Sequence, residues 1–221
     1  MAVAAQPDRL AVSEAAPDQL PADERPISPR AVHLCLDMQN LIGPAGPWAA
    51  RWAERVLPSV VSLVEHARGR TIFTRFIPPA DIPEAESGWR DFYEKWAGLT
   101  LSRIEPALLE LIPPLPMFVP PAMVFDKARF SAFSAAGLSE RLRLLNADTL
   151  ILSGAESDMC VLATALSGLD LGYRIVVATD AICSASDPCH DAVQRLYEER
   201  FSAQIRTIRV EQIRSLWRPA D

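Results

Sequence analysis

Long apolar runs, clustered positive charge and histidine are all scarce in this sequence. No apolar run approaches the roughly 20 residues that a bilayer-spanning helix needs, so no membrane partner is expected. Lysine and arginine total 22 against 28 acidic residues, a formal net charge of −6, and nowhere do the basic residues gather into a patch. That argues against a nucleic-acid partner. Four cysteines (Cys35, Cys160, Cys183, Cys189) among 221 residues are not a disulfide framework. The opening "MAVAAQPDRLAVSEAAPDQL" has neither a basic start nor an apolar core, so it does not read as a secretory signal. The expectation is a cytoplasmic protein with reduced thiols.

What is present is apolar and periodic. Apolar residues make up 49% of the chain, enough for one domain with a sizeable core. Residues 1–30 are rich in Ala, acids and proline (Pro7, Pro17, Pro21, Pro26, Pro29), and read as a flexible tail or an arm lying on a neighbour. The domain is expected over 31–221. Six short apolar segments, "AVHLCLD", "RTIFTRF", "AMVFDK", "TLILSG", "YRIVVAT" and "AQIRTIRV", read as strands. Helical patterns separate most of them: "WAARWAERVLPSVVSLVEHARG", "SAAGLSERLRLLN", "DMCVLATALSGLDLG" and "HDAVQRLYEERF". This alternation predicts an α/β fold, a Rossmann-like three-layer sandwich with a mainly parallel six-stranded sheet and helices on both faces.

The stretch from Pro78 to Pro121 breaks the pattern. In "GWRDFYEKW", Trp89, Phe92, Tyr93 and Trp96 fall at i, i+3, i+4 and i+7, the spacing of an amphipathic helix docked on the core. A cap with an aromatic wall over a ligand fits the same spacing, so Trp89, Tyr93 and Trp96 are candidate substrate contacts.

In an open α/β sheet, ligands bind beyond the carboxyl ends of the strands. Asp37 ends the first strand, Lys127 the third, and Cys160 follows the fourth where the chain turns into a helix. Taken singly, each has a bland reading as a turn former, a solvated charge or a core residue. Together they bring a carboxylate, an ammonium and a thiol to one rim. A thiol attacks only as thiolate, and both a helix N-terminus and a nearby Lys favour that anion. Asp37 is suited to take the thiol proton and return it to a leaving amine. None of His33, His66 and His190 has a context for a Cys–His pair. Arg75, at the end of the second strand, is suited to bind a carboxylate or to meet an acidic neighbour.

The same residues carry a family resemblance. Gly154-Ala-Glu-Ser-Asp-Met-Cys160-Val161 resembles the G-x-x-T-D-x-C-V motif of the isochorismatase-like cysteine hydrolases, which include nicotinamidases and N-carbamoylsarcosine amidohydrolases. Asp37, Met38 and Gln39 match its first-strand motif, and Lys127, Arg129, Ser131, Ala132 and Phe133 match its lysine stretch. The resemblance covers roughly residues 31–210. It implies a catalytic triad of Asp37, Lys127 and Cys160, and a cis peptide between Ala155 and Glu156. It also implies an oxyanion hole from the Glu156 and Cys160 backbone N–H groups, with Gln39 and Phe133 close to the substrate. A homodimer or homotetramer and a small-molecule substrate follow from it as well.

The departures are informative too. The resemblance gives nicotinamidases a metal held by an Asp-x-His after strand 1 and a His after strand 2. Here no Asp-x-His follows strand 1, and Pro78 stands where the second histidine belongs. No metal and no cofactor are therefore expected. Cys183, Cys189 and His190 lack a standard zinc spacing. The reading is a metal-free cysteine hydrolase of small amide or ureido compounds. The rivals are vinyl-ether hydrolysis of the isochorismatase type, which the retained Cys160 opposes, and a catalytically silent binding protein.

Overall fold

The computed structural model describes residues 24–220. Most of the expected tail, residues 1–23, lies outside the described residues. Its last part is held against the domain: Ile27 is buried and its N–H donates to the Leu216 carbonyl at 2.9 Å. Arg30 and Ser28 both bond the Asp148 carboxylate, at 2.6 Å and 2.9 Å.

Six strands form one sheet: β1 (Val32–Leu36), β2 (Thr71–Phe76), β3 (Met123–Lys127), β4 (Thr149–Ala155), β5 (Arg174–Cys183) and β6 (Ile205–Ile208). Their order is β3-β2-β1-β4-β5-β6 and every pairing is parallel. A parallel sheet must be covered on both faces, and the continuous apolar runs of β1 and β4 are accordingly buried throughout. Alternate residues serve opposite faces. Cys35, Ile151 and Val176 meet α1 (Ala53–His66) and α6 (Val210–Leu216) on one side. Leu34, Leu150 and Ile175 meet α3 (Leu138–Leu144), α4 (Leu162–Asp170) and α5 (Asp187–Arg200) on the other. The aromatic segment forms α2 (Gly88–Lys95), which packs through Tyr93 against Phe76 in a small outer cluster.

Local chemistry sets the helix ends. Ser186 accepts the Cys189 N–H at 3.3 Å and Pro188 sits in the first turn, which starts α5. Gly172, at φ +88°, follows α4 and turns the chain toward β5. The helix expected from Trp48 begins only at Ala53. The Trp48 and Ala50 N–H groups donate back to the carbonyls of Leu41 and Ile42, which keeps that stretch out of the helix and lays it over the end of β1. The strand order reverses between β1 and β4. That switch point opens a crevice at the strands' carboxyl ends.

Candidate active site

The crevice depends on a close approach of two strands. Gly154 pairs in register with Leu36, and a Cβ on it would lie 2.1 Å from the Leu36 carbonyl oxygen. Only glycine permits that contact, and its φ of +100° also falls where other residues are strained. One residue beyond Leu36, Asp37 takes φ +49°, an uncommon conformation for a residue with a Cβ. It is held there by its N–H donating to the Thr74 carbonyl at 3.1 Å. Beyond Gly154 the Ala155–Glu156 peptide bond is cis. The chain then makes a π-helical turn over Ser157–Val161, with the Met159 and Val161 N–H groups both donating to the Glu156 carbonyl. Cys160 therefore sits in a widened turn ahead of α4, where a regular first α-turn was expected.

These elements bring Asp37, Lys127 and Cys160 together. The Lys127 ammonium lies 2.7 Å from Asp37 Oδ2 and donates to Cys160 Sγ at 3.3 Å and to the Arg129 carbonyl at 2.9 Å. Thr74 Oγ1 donates to the other Asp37 oxygen at 2.7 Å. All three residues are buried. For Lys127, burial favours the neutral amine, but Asp37 and Cys160 outweigh it and hold its pKa above the ordinary lysine value. For Cys160, burial pushes the thiol well above its usual range and Asp37 adds to that, while Lys127 pulls the other way. This differs from the sequence expectation of a thiolate favoured by Lys127 and the helix N-terminus. Burial and Asp37 together outweigh Lys127, so the balance at the sulfur favours the thiol.

Asp37, Glu156 and Cys160 line a narrow cavity whose remaining wall is largely apolar, with Leu41, Ile42, Trp48, Phe76, Phe130 and Met159. Its open space is about 20 Å³, room for about one water. A larger cavity of about 390 Å³, bounded by Pro78, Tyr93, Asp126 and Arg129, lies on the far side of Lys127 and includes neither Asp37 nor Cys160.

The candidate substrate residues separate into two groups. Gln39 reaches the cavity, but its carboxamide is spent on the backbone: it accepts the Phe76 N–H at 2.7 Å and donates to the Phe76 and Leu109 carbonyls. Trp89, Tyr93 and Trp96 form an outer layer that buttresses the wall. Trp89 packs on Phe130 at 4.6 Å between centroids, and Trp96 stacks on Trp48. Arg75 does not face the cavity, because alternation along β2 turns it away. Its guanidinium is engaged with Asp126 and Glu110. Phe133 lies on the far side against Tyr173. Thr74 was not singled out from the sequence, although a hydroxyl inside the apolar run "TIFTRF" was a usable signal. Phe130 gave none.

The family model of the isochorismatase domain matches residues 31–209. The chain belongs to the isochorismatase family. It is 33% identical to an uncharacterised isochorismatase family protein of Bacillus subtilis (strain 168), over 39% of this chain and 47% of that relative, so the match spans about half the relative's length. It is 25% identical to a probable inactive nicotinamidase of Arabidopsis thaliana, over 72% of this chain and 83% of that protein. The crystal structure of an N-carbamoylsarcosine amidase from Thermoplasma acidophilum superposes with a TM-score of 0.65 at 21% identity, covering 82% of this chain and 96% of the other. At that identity the likeness concerns the fold.

The metal that the resemblance attaches to nicotinamidases finds no matching donors here. Pro78 replaces the second-strand histidine, and the wall after β1 is Leu41, Ile42 and Trp48. Among the described residues, no group of three or more His, Cys, Asp or Glu is arranged to hold an ion.

Proposed function

We propose that this isochorismatase-family hydrolase cleaves a carbon–nitrogen bond of small amide or ureido compounds through a thioester on Cys160. The observation that carries this reading is the buried contact of one ammonium with both a carboxylate (2.7 Å) and a thiol (3.3 Å) at the sheet's switch point. Because the balance at the sulfur favours the thiol, attack and proton transfer go together. Cys160 Sγ forms a bond to the substrate carbonyl carbon while Asp37 takes the thiol proton. The carbonyl oxygen becomes an oxyanion facing the Glu156 and Cys160 backbone N–H groups. The tetrahedral species collapses, the C–N bond breaks, and Asp37 hands its proton to the departing nitrogen. Water then adds to the thioester with Asp37 as base, which releases the acid and restores the thiol. Lys127 stays charged throughout, orients Asp37 and stabilises negative charge as it moves between carboxylate and sulfur.

The reading of a silent binding protein draws on one observation, a cavity with room for about one water. Under the hydrolase reading, Trp48 and Phe130, which cover the cavity from two loops, swing aside to admit substrate. A screen of small amides and ureides for released ammonia separates the two. Wild-type protein is expected to turn over at least one of them, and Cys160→Ala to fall below about 1% of that rate, since losing a nucleophile costs several orders of magnitude. An alanine variant above that level rules out covalent catalysis by Cys160.

A further inference from the structure

We propose that His190, in the first turn of α5, is a positioning residue for Cys160: its hydrogen bond to Ser157 fixes the π-helical turn that sets the sulfur beside Lys127. The proposal rests on the reading of Cys160 as the nucleophile, and it concerns a residue that the mechanism leaves unused.

The turn over Ser157–Val161 leans on few bonds of its own. It closes with the Val161 N–H donating to the Glu156 carbonyl at 3.0 Å, and the same carbonyl accepts the Met159 N–H at 3.1 Å. Glu156 supplies no side-chain cap. Such turns are rare and frequently sit at functional sites. Support from outside comes through the segment that leads into α5. Ser184 Oγ donates to Asp158 Oδ1 at 2.6 Å and accepts the Ser186 N–H at 3.1 Å. Ser186 Oγ in turn accepts the Cys189 N–H at 3.3 Å. The next residue, His190, is hydrogen-bonded through Nδ1 to Ser157 Oγ at 2.9 Å. Two successive residues of the nucleophile turn, Ser157 and Asp158, are thus pinned from the start of α5. Ser157 is fully buried, and His190 is the only side-chain partner of its hydroxyl among the described residues. Without that partner the hydroxyl is buried and unpaired, a costly state that the turn relieves by moving. Trp52 packs on the imidazole at 5.5 Å between centroids and steadies the ring. Cys160 stands three residues after Ser157 in the same turn, with its sulfur 3.3 Å from the Lys127 ammonium. Asp37 and Lys127 are the charged groups that act on that sulfur, and Lys127 is the one that opposes burial. A turn that relaxes draws the sulfur away from that charge.

The test reads the pH profile of Cys160 alkylation by iodoacetamide, which forms a thioether and releases iodide without any turnover. Labelling is followed on the Cys160 peptide by mass, so that the exposed Cys189 does not interfere. His190→Phe keeps a ring against Trp52 and removes Nδ1. His190→Asn gives up the ring and keeps a polar atom near the Nδ1 position. Ser157→Ala removes the other end of the bond. In His190→Phe and in Ser157→Ala, alkylation near neutral pH is expected to slow by about tenfold, with its half-maximal pH about one unit higher, since a nearby opposite charge moves a pKa by about 1–3 pH units. The double variant should be no slower than either single one, and His190→Asn should recover to within about threefold of wild type. In a Lys127→Met background, His190→Phe should add no further shift. An unshifted profile in Ser157→Ala overturns the proposal, and that comparison stands even if His190→Phe does not fold. A shift that His190→Asn fails to rescue, or that persists in full without Lys127, makes His190 a packing residue and overturns it too. If the profile does not move while Cys160 still forms acyl adducts with amides, only the role of His190 is lost. If the profile moves as expected and no adduct forms, only the hydrolytic reading is lost.

Discussion

At the scale of single residues, the proposed chemistry turns on Lys127. Its charge is what opposes burial and Asp37 at the Cys160 thiol. Lys127→Met removes that opposition. Alkylation of Cys160 by iodoacetamide near neutral pH is expected to slow, and its half-maximal pH to move up. An unchanged profile would take Lys127 out of the triad. Lys127→Arg is no rescue, because a forked guanidinium does not fit a compact site with three short contacts. The meeting of Asp37, Lys127 and Cys160 was legible in the sequence because three polar or nucleophilic residues follow apolar strands whose ends share one edge of the sheet. The cavity wall was not legible. Phe130 and Trp48 come from loops after different strands, and no periodicity reports where a loop side chain packs. The aromatic spacing of α2 was read correctly as a helix, but its rings stand one layer behind the wall.

At the scale of elements, the site is built by the junction of β1 with β4. Gly154→Ala tests that junction. The new Cβ meets backbone at 2.1 Å, which no side-chain rotation relieves, and φ +100° strains it further. A loss of more than about 3 kcal/mol in urea denaturation is expected, in the range of severe backbone defects. A loss below about 1 kcal/mol would mean that the two strands separate freely and that the rim is not fixed by this contact. The strands were legible because β1, β2, β4 and β5 are short, mainly apolar segments bounded by turns and separated by helical patterns. The π-turn at Cys160 and the late start of α1 were not, since both depend on which carbonyl accepts an N–H rather than on side-chain pattern. The seven-residue helix α6 was missed because "VEQIRSL" is too short to show a helical period.

At the scale of the whole molecule, stability is expected to fall on the acid side through a residue far from the chemistry. His33 is buried in β1 between Thr71 Oγ1 and Ser153 Oγ, at 3.2 Å and 2.7 Å, and burial lowers its pKa to about 3. Its folded pKa lies below the unfolded value, so the unfolded chain takes up a proton that the folded one refuses. The contribution is complete above about pH 6.5 and is lost as pH falls, at about 1.4 kcal/mol per unit. Glu156, raised to about 7, acts with the opposite sign in the same window, so the difference between wild type and His33→Gln isolates the histidine. That difference should shift by about 2–3 kcal/mol between pH 6.5 and pH 4.5 in favour of the variant. A constant difference would mean that the folded sheet accommodates the imidazolium. The central claim is that Cys160 forms a covalent bond with its substrate. The most direct measurement is intact mass followed by peptide mapping after rapid acid quench of protein incubated with a turned-over amide. An increase equal to the acyl group, located on Cys160 and absent in Cys160→Ala, is the predicted result. Product release with no adduct on Cys160 at any quench time, and with turnover retained by Cys160→Ala, would contradict it.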